Sequence, residues 1–515
     1  MLVSRASISL ASRDGKNPHG DGYPRGFFPF GEGESCLIII YNSSNPNSYP
    51  TLARIARDIL AIPITTVASE SAFSTGGRVV SSHRNKLHPS TLEALICCQS
   101  WLRAYNSSLK SEVSSQFATF LEEELEEQEL LKQSLSETLV QYYPPAGKLT
   151  EIYSIDCNDE GIYFEEARAK SSLNEFLSKP DLCLINKFIP VDGNKQSGQI
   201  TGAHAAKVQV TSFACGGQVI CACISHMFGD VLTFTSFMGS WVATGRKYSG
   251  EAVPYPIYDA SSLFPPYDAY PRELNQLALG TRFCRTGRFV TKRFVFEAKA
   301  IAELKARAIS SSVQNPTRVE VVLALLAKPI MAAVNTKSGS HKPTFLTHAV
   351  NLHRKAKPPL SEHLVGNIIY YVNTLCTDDD VEIDDLVCQL REAITRLNGD
   401  FVKSLQGAGG FRNLCQEIKD EAEVYTEVKD RILFTGWCSF KGFYDINFGW
   451  GKPIWVSVAG FGGSTISIYP YIVLMNTRLG DGIEAWVNLL EDDVNLLQVD
   501  KQLLAFATLD PSPLG

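Results

Sequence analysis

Two stretches of alternating apolar and polar residues lie near the middle of the chain, at 208–214 and 219–223, joined by Gly216-Gly217. Alternation with a period of two predicts β-strands, and two such runs joined by Gly-Gly predict a hairpin. The apolar residues at 232–242 recur instead with the spacing of a helix. His226 therefore lies between the end of a predicted strand and the start of a predicted helix, where a rigid scaffold can present a side chain at an open edge.

The pattern ahead of this hairpin predicts more helices than strands. Residues 1–36 are rich in Gly, Pro, Ser and Arg and predict a poorly ordered segment, whereas the apolar run 36–41 predicts one strand whose partner the sequence does not identify. Helical spacing occurs at 52–60 and 90–102, and an acidic helix is predicted from 107 to about 133. The inward-facing residues of this helix and its continuation are Leu121, Leu125, Leu131, Leu135 and Leu139.

The composition is that of an ordinary globular protein. The chain has 515 residues, 44% hydrophobic and 20% charged, and this length predicts roughly two to four domains. The net charge of −7 disfavours a nucleic-acid-binding surface, and no apolar run reaches the ~18 residues of a membrane span. The 13 cysteines are irregularly spaced, and Cys97-Cys98 and Cys221-Ala222-Cys223 are interpreted as small apolar positions. We therefore expect a cytoplasmic protein without a disulfide framework.

His226 and Asp230 are the candidate chemical groups of this region. An imidazole can accept a proton near neutral pH, and a carboxylate four residues on can hold the ring tautomer or brace the turn. The spacing alone is weakly diagnostic, because 9 histidines would give about 0.4 such pairs by chance at average aspartate usage. Taken alone, the pattern fits a structural histidine at a strand end better than a catalytic base.

Residues 48–105 resemble the C-terminal dimerisation region of hAT-family transposases. The resemblance rests on three segments in the family's order, Tyr49 to Pro63, Ala68 to Ser74, and Arg84 to Leu87. The glutamate that completes the family's acidic metal-binding triad falls on Glu70, but the chain has no room upstream for the two aspartates. Since metal-ion chemistry on phosphodiesters needs several carboxylates, we expect no metal site and no transposition. Self-association is the role that the resemblance implies for this segment.

The remainder of the chain resembles the BAHD acyl-CoA-dependent acyltransferases. The segment 131–148 is similar to the family's opening helix, and the pair His226 and Asp230 matches its HxxxD motif. The segments 447–453, with a Phe-Gly-Trp-Gly turn, and 476–486 are similar to two further family motifs. Four motifs in the family's order make the HxxxD match specific. The nearest resemblance is to the vinorine-synthase-like and alcohol acetyltransferase branch.

This resemblance implies an α/β fold with two similar-sized α/β domains of the chloramphenicol-acetyltransferase type and a channel at their interface. The implied boundaries are an acyltransferase N-terminal domain at 106–247, a crossover loop at 248–280 and a C-terminal domain at 281–515. The hAT-like helical module at 48–105 would precede them, after a disordered segment or partial strand at 1–47.

The resemblance also implies the chemistry. Acyl-CoA, expected to be acetyl-CoA, is a co-substrate and not a bound cofactor, and the acceptor is a hydroxyl of a plant-type secondary metabolite. His226 would act as general base on that hydroxyl, with Asp230 pointing away from the reaction. The channel would be lined by Thr435 and Trp437, the former as a hydrogen-bond donor. A structural turn would be formed by Asn447, Phe448, Gly449, Trp450 and Gly451.

Three departures from the family pattern leave a second interpretation open. The family pairs the HxxxD aspartate with an arginine that follows Asn-Leu, but here that position is His353 and Arg354 follows it. Asn447 replaces an aspartate, so that motif loses a charge. The family's N-terminal strand is not recognised, unless 36–41 is its remnant and the hAT-like piece is an insertion. The chain is therefore an active acyltransferase, or else a catalytically impaired relative or transposon-fusion product that binds or dimerises.

Overall fold

The computed structural model of the chain describes residues 2–8, 34–41, 126–150, 154–191, 201–246, 253, 255–265, 283–336, 343–377, 381–424, 427–428, 430–440, 442–460 and 465–514. The predicted helices at 52–60 and 90–102, and the whole hAT-like segment, lie outside the described residues. Of the expected crossover loop at 248–280, the described part includes one short helix.

The strands of the described residues are β1 (Leu2–Ile8), β2 (Glu34–Tyr41), β3 (Lys148–Leu149), β4 (Ile155–Asp156), β5 (Ile162–Ala169), β6 (Ala206–Phe213), β7 (Gln218–Ser225), β8 (Arg285–Phe296), β9 (Thr344–Asn351), β10 (Ile369–Cys376), β11 (Asp430–Gly436), β12 (Trp455–Val458), β13 (Thr465–Ile468), β14 (Tyr471–Asn476), β15 (Ile483–Leu490) and β16 (Thr508–Leu509).

The α-helices of the described residues are α1 (126–139), α2 (Leu173–Ser178), α3 (Leu182–Ile185), α4 (Val231–Gly245), α5 (Ala260–Leu263), α6 (Ala298–Arg307), α7 (Arg318–Thr336), α8 (Ile383–Thr395), α9 (Gly399–Ser404), α10 (Gly410–Val424), α11 (Glu491–Leu497) and α12 (Lys501–Leu504). Short 3₁₀ helices lie at Pro144–Ala146, Asn186–Phe188 and Phe443–Asp445.

The first sheet has the strand order β1-β5-β6-β7-β2-β12 in the described part of the chain. β6 and β7 pair antiparallel, which confirms the predicted hairpin. β2 pairs with β7 on one edge and with β12 on the other, so the strand predicted at 36–41 is an inner strand of this sheet. The sheet therefore includes residues that lie well ahead of the expected domain start at 106.

The prediction of a poorly ordered segment at 1–36 is wrong for Leu2–Ile8. This segment is β1, and it pairs antiparallel with β5 at the other edge of the first sheet. The backbone hydrogen bonds of a sheet edge can order a segment whose own composition is loop-like. Its pairing partner lies more than 150 residues away, so local pattern could not reveal it.

The second sheet has the order β10-β9-β11-β14-β15-β8-β13, with β16 on β8. Its two faces belong to different cores, as a period of two requires. On β14, Val473 and Met475 pack into the core shared with the first sheet, whereas Ile472 and Leu474 pack into a core beneath the helices that cover the other face. Two helix-covered sheets in contact give the expected α/β architecture.

Helices α1 and α4 cover the first sheet as the apolar pattern predicts. Leu131, Leu135 and Leu139 of α1 are fully buried. In α4, the indole Nε1 of Trp241 donates a hydrogen bond to Ser134 Oγ of α1 over 3.1 Å. Glu126 and Glu129 of α1 are exposed, whereas Leu121 and Leu125 of the predicted inward face lie outside the described residues. α4 is fixed against α1 just after the candidate histidine.

The two chain segments that flank residues 42–125 meet at Gln218. Tyr41, the last residue of β2, is the direct partner of Gln218 in the β2–β7 register. The side-chain amide of Gln218 donates to Glu127 Oε2 of α1 over 2.6 Å. The described residues on either side of 42–125 therefore lie next to each other, against Gln218 of the first sheet.

One cysteine pair departs from the prediction that the cysteines serve as small apolar residues. Cys36 of β2 and Cys223 of β7 are direct partners in the strand register and form a disulfide. The sequence could not indicate this pair because it did not identify the partner of β2. No helix in the described ranges is both long and apolar enough to cross a bilayer.

Candidate active site

His226 lies in the turn between β7 and α4, as the sequence predicts. The turn is closed by Ser225, whose backbone oxygen accepts from the amide of Phe228 over 2.9 Å and whose Oγ accepts from the amide of Met227 over 3.2 Å. His226 as a whole is half-buried, whereas its neighbours in the turn are buried. The turn therefore presents the ring at the edge of the first sheet.

Asp230 is the N-cap of α4, and its carboxylate is fully engaged by backbone amides. Oδ1 accepts from Leu232 N over 3.0 Å and from Thr233 N over 3.1 Å. Oδ2 accepts from Ile368 N, in the second half of the chain, over 3.0 Å. Three amide donors can stabilise a buried carboxylate without a cation beside it.

The expected pairing of Asp230 with His353 or Arg354 is wrong. His353 is fully buried, and its backbone N–H and its Nδ1 both donate to Asn351 Oδ1 over 2.8 Å. Its Nε2 has no hydrogen-bond partner among the described residues. Arg354 instead pairs with Glu362 over 2.7 Å at the surface. The backbone amides around Asp230 replace the arginine that the family pattern implies.

Asn367, from the second half of the chain, contacts the imidazole. Its Nδ2 donates to the backbone oxygen of His226, and its Oδ1 lies 3.4 Å from His226 Nδ1. Because an amide oxygen can only accept, Nδ1 is the donor in this contact, which makes Nε2 the basic nitrogen of the ring. No local signal in the sequence linked Asn367 to His226, because the two residues are 141 positions apart.

The protonation of His226 suits a base. Burial lowers its pKa below the usual 6.5, while the hydrogen bond to Asn367 and the charge of Asp230 act in the opposite direction. The net shift is downward, so the ring is neutral at pH 7.

Thr435 and Trp437 lie on the second sheet and just after it. Thr435 of β11 is the register partner of Val473, whose side chain packs into the core shared with the first sheet, so Thr435 lies on the face turned to that sheet. Trp437 is buried in the same core, and its indole Nε1 has no hydrogen-bond partner among the described residues. The two predicted channel residues therefore lie on the side of the second sheet that faces the first sheet, opposite its helix-covered face.

The Phe-Gly-Trp-Gly turn does not need the charge that Asn447 lacks. Asn447 Oδ1 accepts from the amides of Gly449 and Gly451 over 2.9 and 3.0 Å. These glycines have φ of 118° and 109°, values that side-chain-bearing residues rarely adopt. The flanking rings of Phe448 and Trp450 pack on α4 and on the end of β2 respectively. An asparagine performs this bracing role as an aspartate would.

Comparison with protein families gives a direct result for this arrangement. The family described as the Transferase family matches residues 109–504, more than half of the chain. The chain belongs to this family, the BAHD transferases. It is accordingly an acyltransferase, as the motifs predict. Residues 29–102 match a second family, the hAT family C-terminal dimerisation region.

Relatives of known activity are similar over most of their length. A limonoid 7-O-acetyltransferase of Citrus sinensis is 58% identical over 392 residues, covering 75% of this chain and 85% of the relative. An epi-neemfruitin B 7-O-acetyltransferase of Melia azedarach is 55% identical over 387 residues, with the same coverage. A stemmadenine O-acetyltransferase of Catharanthus roseus is 33% identical over 378 residues, covering 72% of this chain and 83% of the relative.

Solved structures confirm the fold. Vinorine synthase has a TM-score of 0.66 to this chain at 24% identity, and the match covers 98% of each chain. TRI101 of F. graminearum, in a complex with coenzyme A and T-2 mycotoxin, has a TM-score of 0.57 at 12% identity and covers 95% of this chain and 100% of its own. The predicted α/β class is therefore correct.

Proposed function

We propose that this acyltransferase acetylates a hydroxyl of a limonoid-type triterpenoid, with acetyl-CoA as the donor and His226 as the general base. The observation that carries the assignment of the base is the contact between Asn367 and the His226 ring, which leaves Nε2 as the proton acceptor. The acceptor class is supported by the relatives at 58% and 55% identity, the first named as a limonoid 7-O-acetyltransferase and the second as an epi-neemfruitin B 7-O-acetyltransferase.

The reaction follows from this geometry. Nε2 of His226 removes the proton of the acceptor hydroxyl as the oxygen attacks the thioester carbonyl carbon. The tetrahedral intermediate then collapses, the carbon–sulfur bond breaks, and the proton on Nε2 passes to the CoA thiolate. The products are the acetate ester and free CoA. A positioned base of this kind contributes about 10²–10⁴-fold to the rate.

The negative charge on the intermediate's oxygen needs donors, and the second sheet offers two. The Trp437 indole N–H is buried without a partner among the described residues, which costs free energy in the empty enzyme. The Thr435 hydroxyl lies on the same side of the sheet, two residues earlier. We assign these groups as donors to the oxyanion, where pre-formed hydrogen bonds are most effective.

A catalytically impaired relative is the alternative. The hydrogen bonds of two residues, Asp230 and Asn447, argue against it. Asp230 has three amide donors and needs no arginine. Asn447 makes both hydrogen bonds of its turn without a charge. Both departures from the family pattern are thus accommodated by this chain's own contacts.

The test is acyl-CoA thiol release with a panel of alcohols. We expect acetyl-CoA turnover with limonoids that carry a free 7-hydroxyl, less with a 1-hydroxyl, and least with indole alkaloid alcohols. His226→Ala should lower kcat by at least about 10²-fold. His363→Ala, which alters a surface histidine, is the matched control and should retain full activity. Activity that survives in a folded His226→Ala variant would refute the assignment of the base.

We also propose that residues 48–105 bind a second copy of the chain, in the cytoplasm. The match of 29–102 to a dimerisation region supports self-association. Light scattering of the full chain should give twice the monomer mass, and a fluorescent fusion should fill the cytoplasm. A monomer at micromolar concentration would refute the first proposal, and a fusion confined to an organelle would refute the second.

A further inference from the structure

Three consecutive residues of the second half of the chain, Gly366 to Ile368, are fastened to the start of α4. The amide of Asp230 donates to the backbone oxygen of Gly366 over 3.2 Å. Thr233 Oγ1 accepts from the amide of Gly366 over 3.1 Å and donates to its oxygen over 3.2 Å. Asp230 Oδ2 accepts from the amide of Ile368 over 3.0 Å. We call residues 366–368 the strap.

The strap joins the two halves of the molecule. α4 covers the first sheet, whereas the strap runs directly into β10 of the second sheet. On that side, the oxygen of Ile368 accepts from the amide of Leu352 over 2.9 Å. Asp230 and Thr233 are almost fully buried, so their bonds to the strap are shielded from competing water.

The fastening leaves one part of the strap facing the imidazole. Gly366 has a φ of 151°, which a glycine adopts without cost. The backbone on both sides of Asn367 is held by Asp230 and Thr233, and its side chain makes the two contacts to His226. The position of the Asn367 side chain therefore depends on Asp230 and Thr233, which bond to the backbone of the strap and not to the imidazole.

We propose that Asp230 and Thr233 are positioning residues that orient His226 through the strap and Asn367. This inference rests on the proposed function, because it assumes that His226 is the base. Asp230 then acts through its hydrogen bond to Ile368 and not through a cation, which explains how the chain dispenses with the arginine of the family pattern. Thr233 acts in the same way through Gly366.

The role of Asp230 in capping α4 can be distinguished from its role in orienting His226, because its two carboxylate oxygens have different partners. Oδ1 caps α4, and Oδ2 holds the strap. Asp230→Asn can keep the cap oxygen but places an amide N–H₂ against the Ile368 N–H. Thr233→Val removes the hydroxyl that holds Gly366 and keeps the side-chain shape.

The experiment measures kcat, the KM for acetyl-CoA, and the tautomer of His226 by ¹⁵N NMR of histidine-labelled enzyme. For Asp230→Asn and Thr233→Val we expect kcat to fall by about 10- to 100-fold, the loss typical of a misplaced reacting group, with KM for acetyl-CoA within about twofold. The Nδ1-protonated form of the wild type should give way to a mixture of tautomers.

Asn398→Ala is the matched control. Asn398 caps α9 with the same pattern of two amide hydrogen bonds, from Asp400 and Phe401. We expect it to lower Tm and to leave kcat unchanged. A Thr233→Val variant with wild-type kcat and a wild-type tautomer would overturn the inference while His226→Ala still supports the proposed function. Full activity in folded His226→Ala would overturn the proposed function itself.

Discussion

At one end of β7 lies His226, which is contacted by Asn367 of the second half of the chain. At the other end lies Gln218, which contacts the described residues on either side of 42–125. The strand between them has 8 residues. At about 3.3 Å per residue, this separates the two ends by roughly 25 Å.

The comparison shows how one sheet can present the proposed base at one end of a strand and hold both attachment points of residues 42–125 at the other. At the His226 end, Asp230 accepts from its own helix through Oδ1 and from Ile368, 138 residues on, through Oδ2, so both halves of the chain determine the geometry. At the Gln218 end, two neighbouring attachment points suffice. A paired, buried strand connects the two ends and holds them roughly 25 Å apart. The predictions below alter one end at a time.

The largest expected effect is at the active-site end, for Trp437→Phe. Loss of the indole N–H should lower kcat by about 10²- to 10³-fold if that group binds the oxyanion, as removal of such donors does elsewhere. Trp486→Phe is the matched control, since Trp486 is also buried with an unpartnered Nε1 among the described residues. The control should change Tm more than kcat. Equal kcat in both variants would contradict the assignment of Trp437.

The pH dependence probes the same end. Burial lowers the pKa of His226 below 6.5, and the base works only when neutral. Activity is therefore complete above this pKa and is lost as the pH falls through it, by about tenfold per unit. The acid limb of kcat/KM should lie below pH 6.5. In Asn367→Asp it should move to higher pH, because a carboxylate beside the ring stabilises the protonated form. A wild-type limb above pH 6.5 would contradict the structure of the site.

A smaller effect is expected near the Gln218 end, where the Phe-Gly-Trp-Gly turn meets β2. Asn447→Asp should change the free energy of unfolding by less than about 0.5 kcal/mol, since the accepting oxygen is kept. Asn447→Ala should cost about 0.5–1.5 kcal/mol, because two solvent-accessible amides of the turn lose their acceptor. Urea unfolding of the three proteins measures both values. A large gain from Asn447→Asp would show that a cation needs the missing charge.

The smallest effect on catalysis is expected from the insertion itself. Replacing residues 44–124 by a short Gly/Ser linker should leave kcat/KM within about twofold and abolish self-association, because the two attachment points already lie together. Limited proteolysis of the intact chain is the companion test, since a nick within 42–125 should leave an active, associated enzyme. Inactivity of a nicked enzyme with a native melting curve would contradict the separation of the two ends.

The sequence predicted those features that depend on local pattern. The β6–β7 hairpin, the inward leucines of α1 and the place of His226 before α4 all follow from periods of two and 3.6 within a few residues. The partner of β2, the Cys36–Cys223 disulfide and β1 depend on pairing over more than 150 residues, which no local pattern encodes.

The candidate site likewise combines residues that the sequence predicted with contacts that it could not predict. The HxxxD spacing identified His226 and Asp230, but not what they contact. Asn367 is separated from His226 by 141 residues, and the partner of Asp230 Oδ2 by 138. The expected arginine contact came from family resemblance, and the structure replaces it with backbone amides that every sequence contains. Backbone donors leave no signature in the side-chain sequence.

Strand β12 has a consequence for how this protein is made. It comes from residues 455–458, yet it completes the edge of a sheet whose other strands lie within the first 225 residues. Because synthesis proceeds from the N-terminus, the apolar strand β2 keeps an open edge on the ribosome until nearly nine-tenths of the chain has emerged. An exposed edge of this kind attracts other strands. Chains truncated before residue 455 should therefore aggregate.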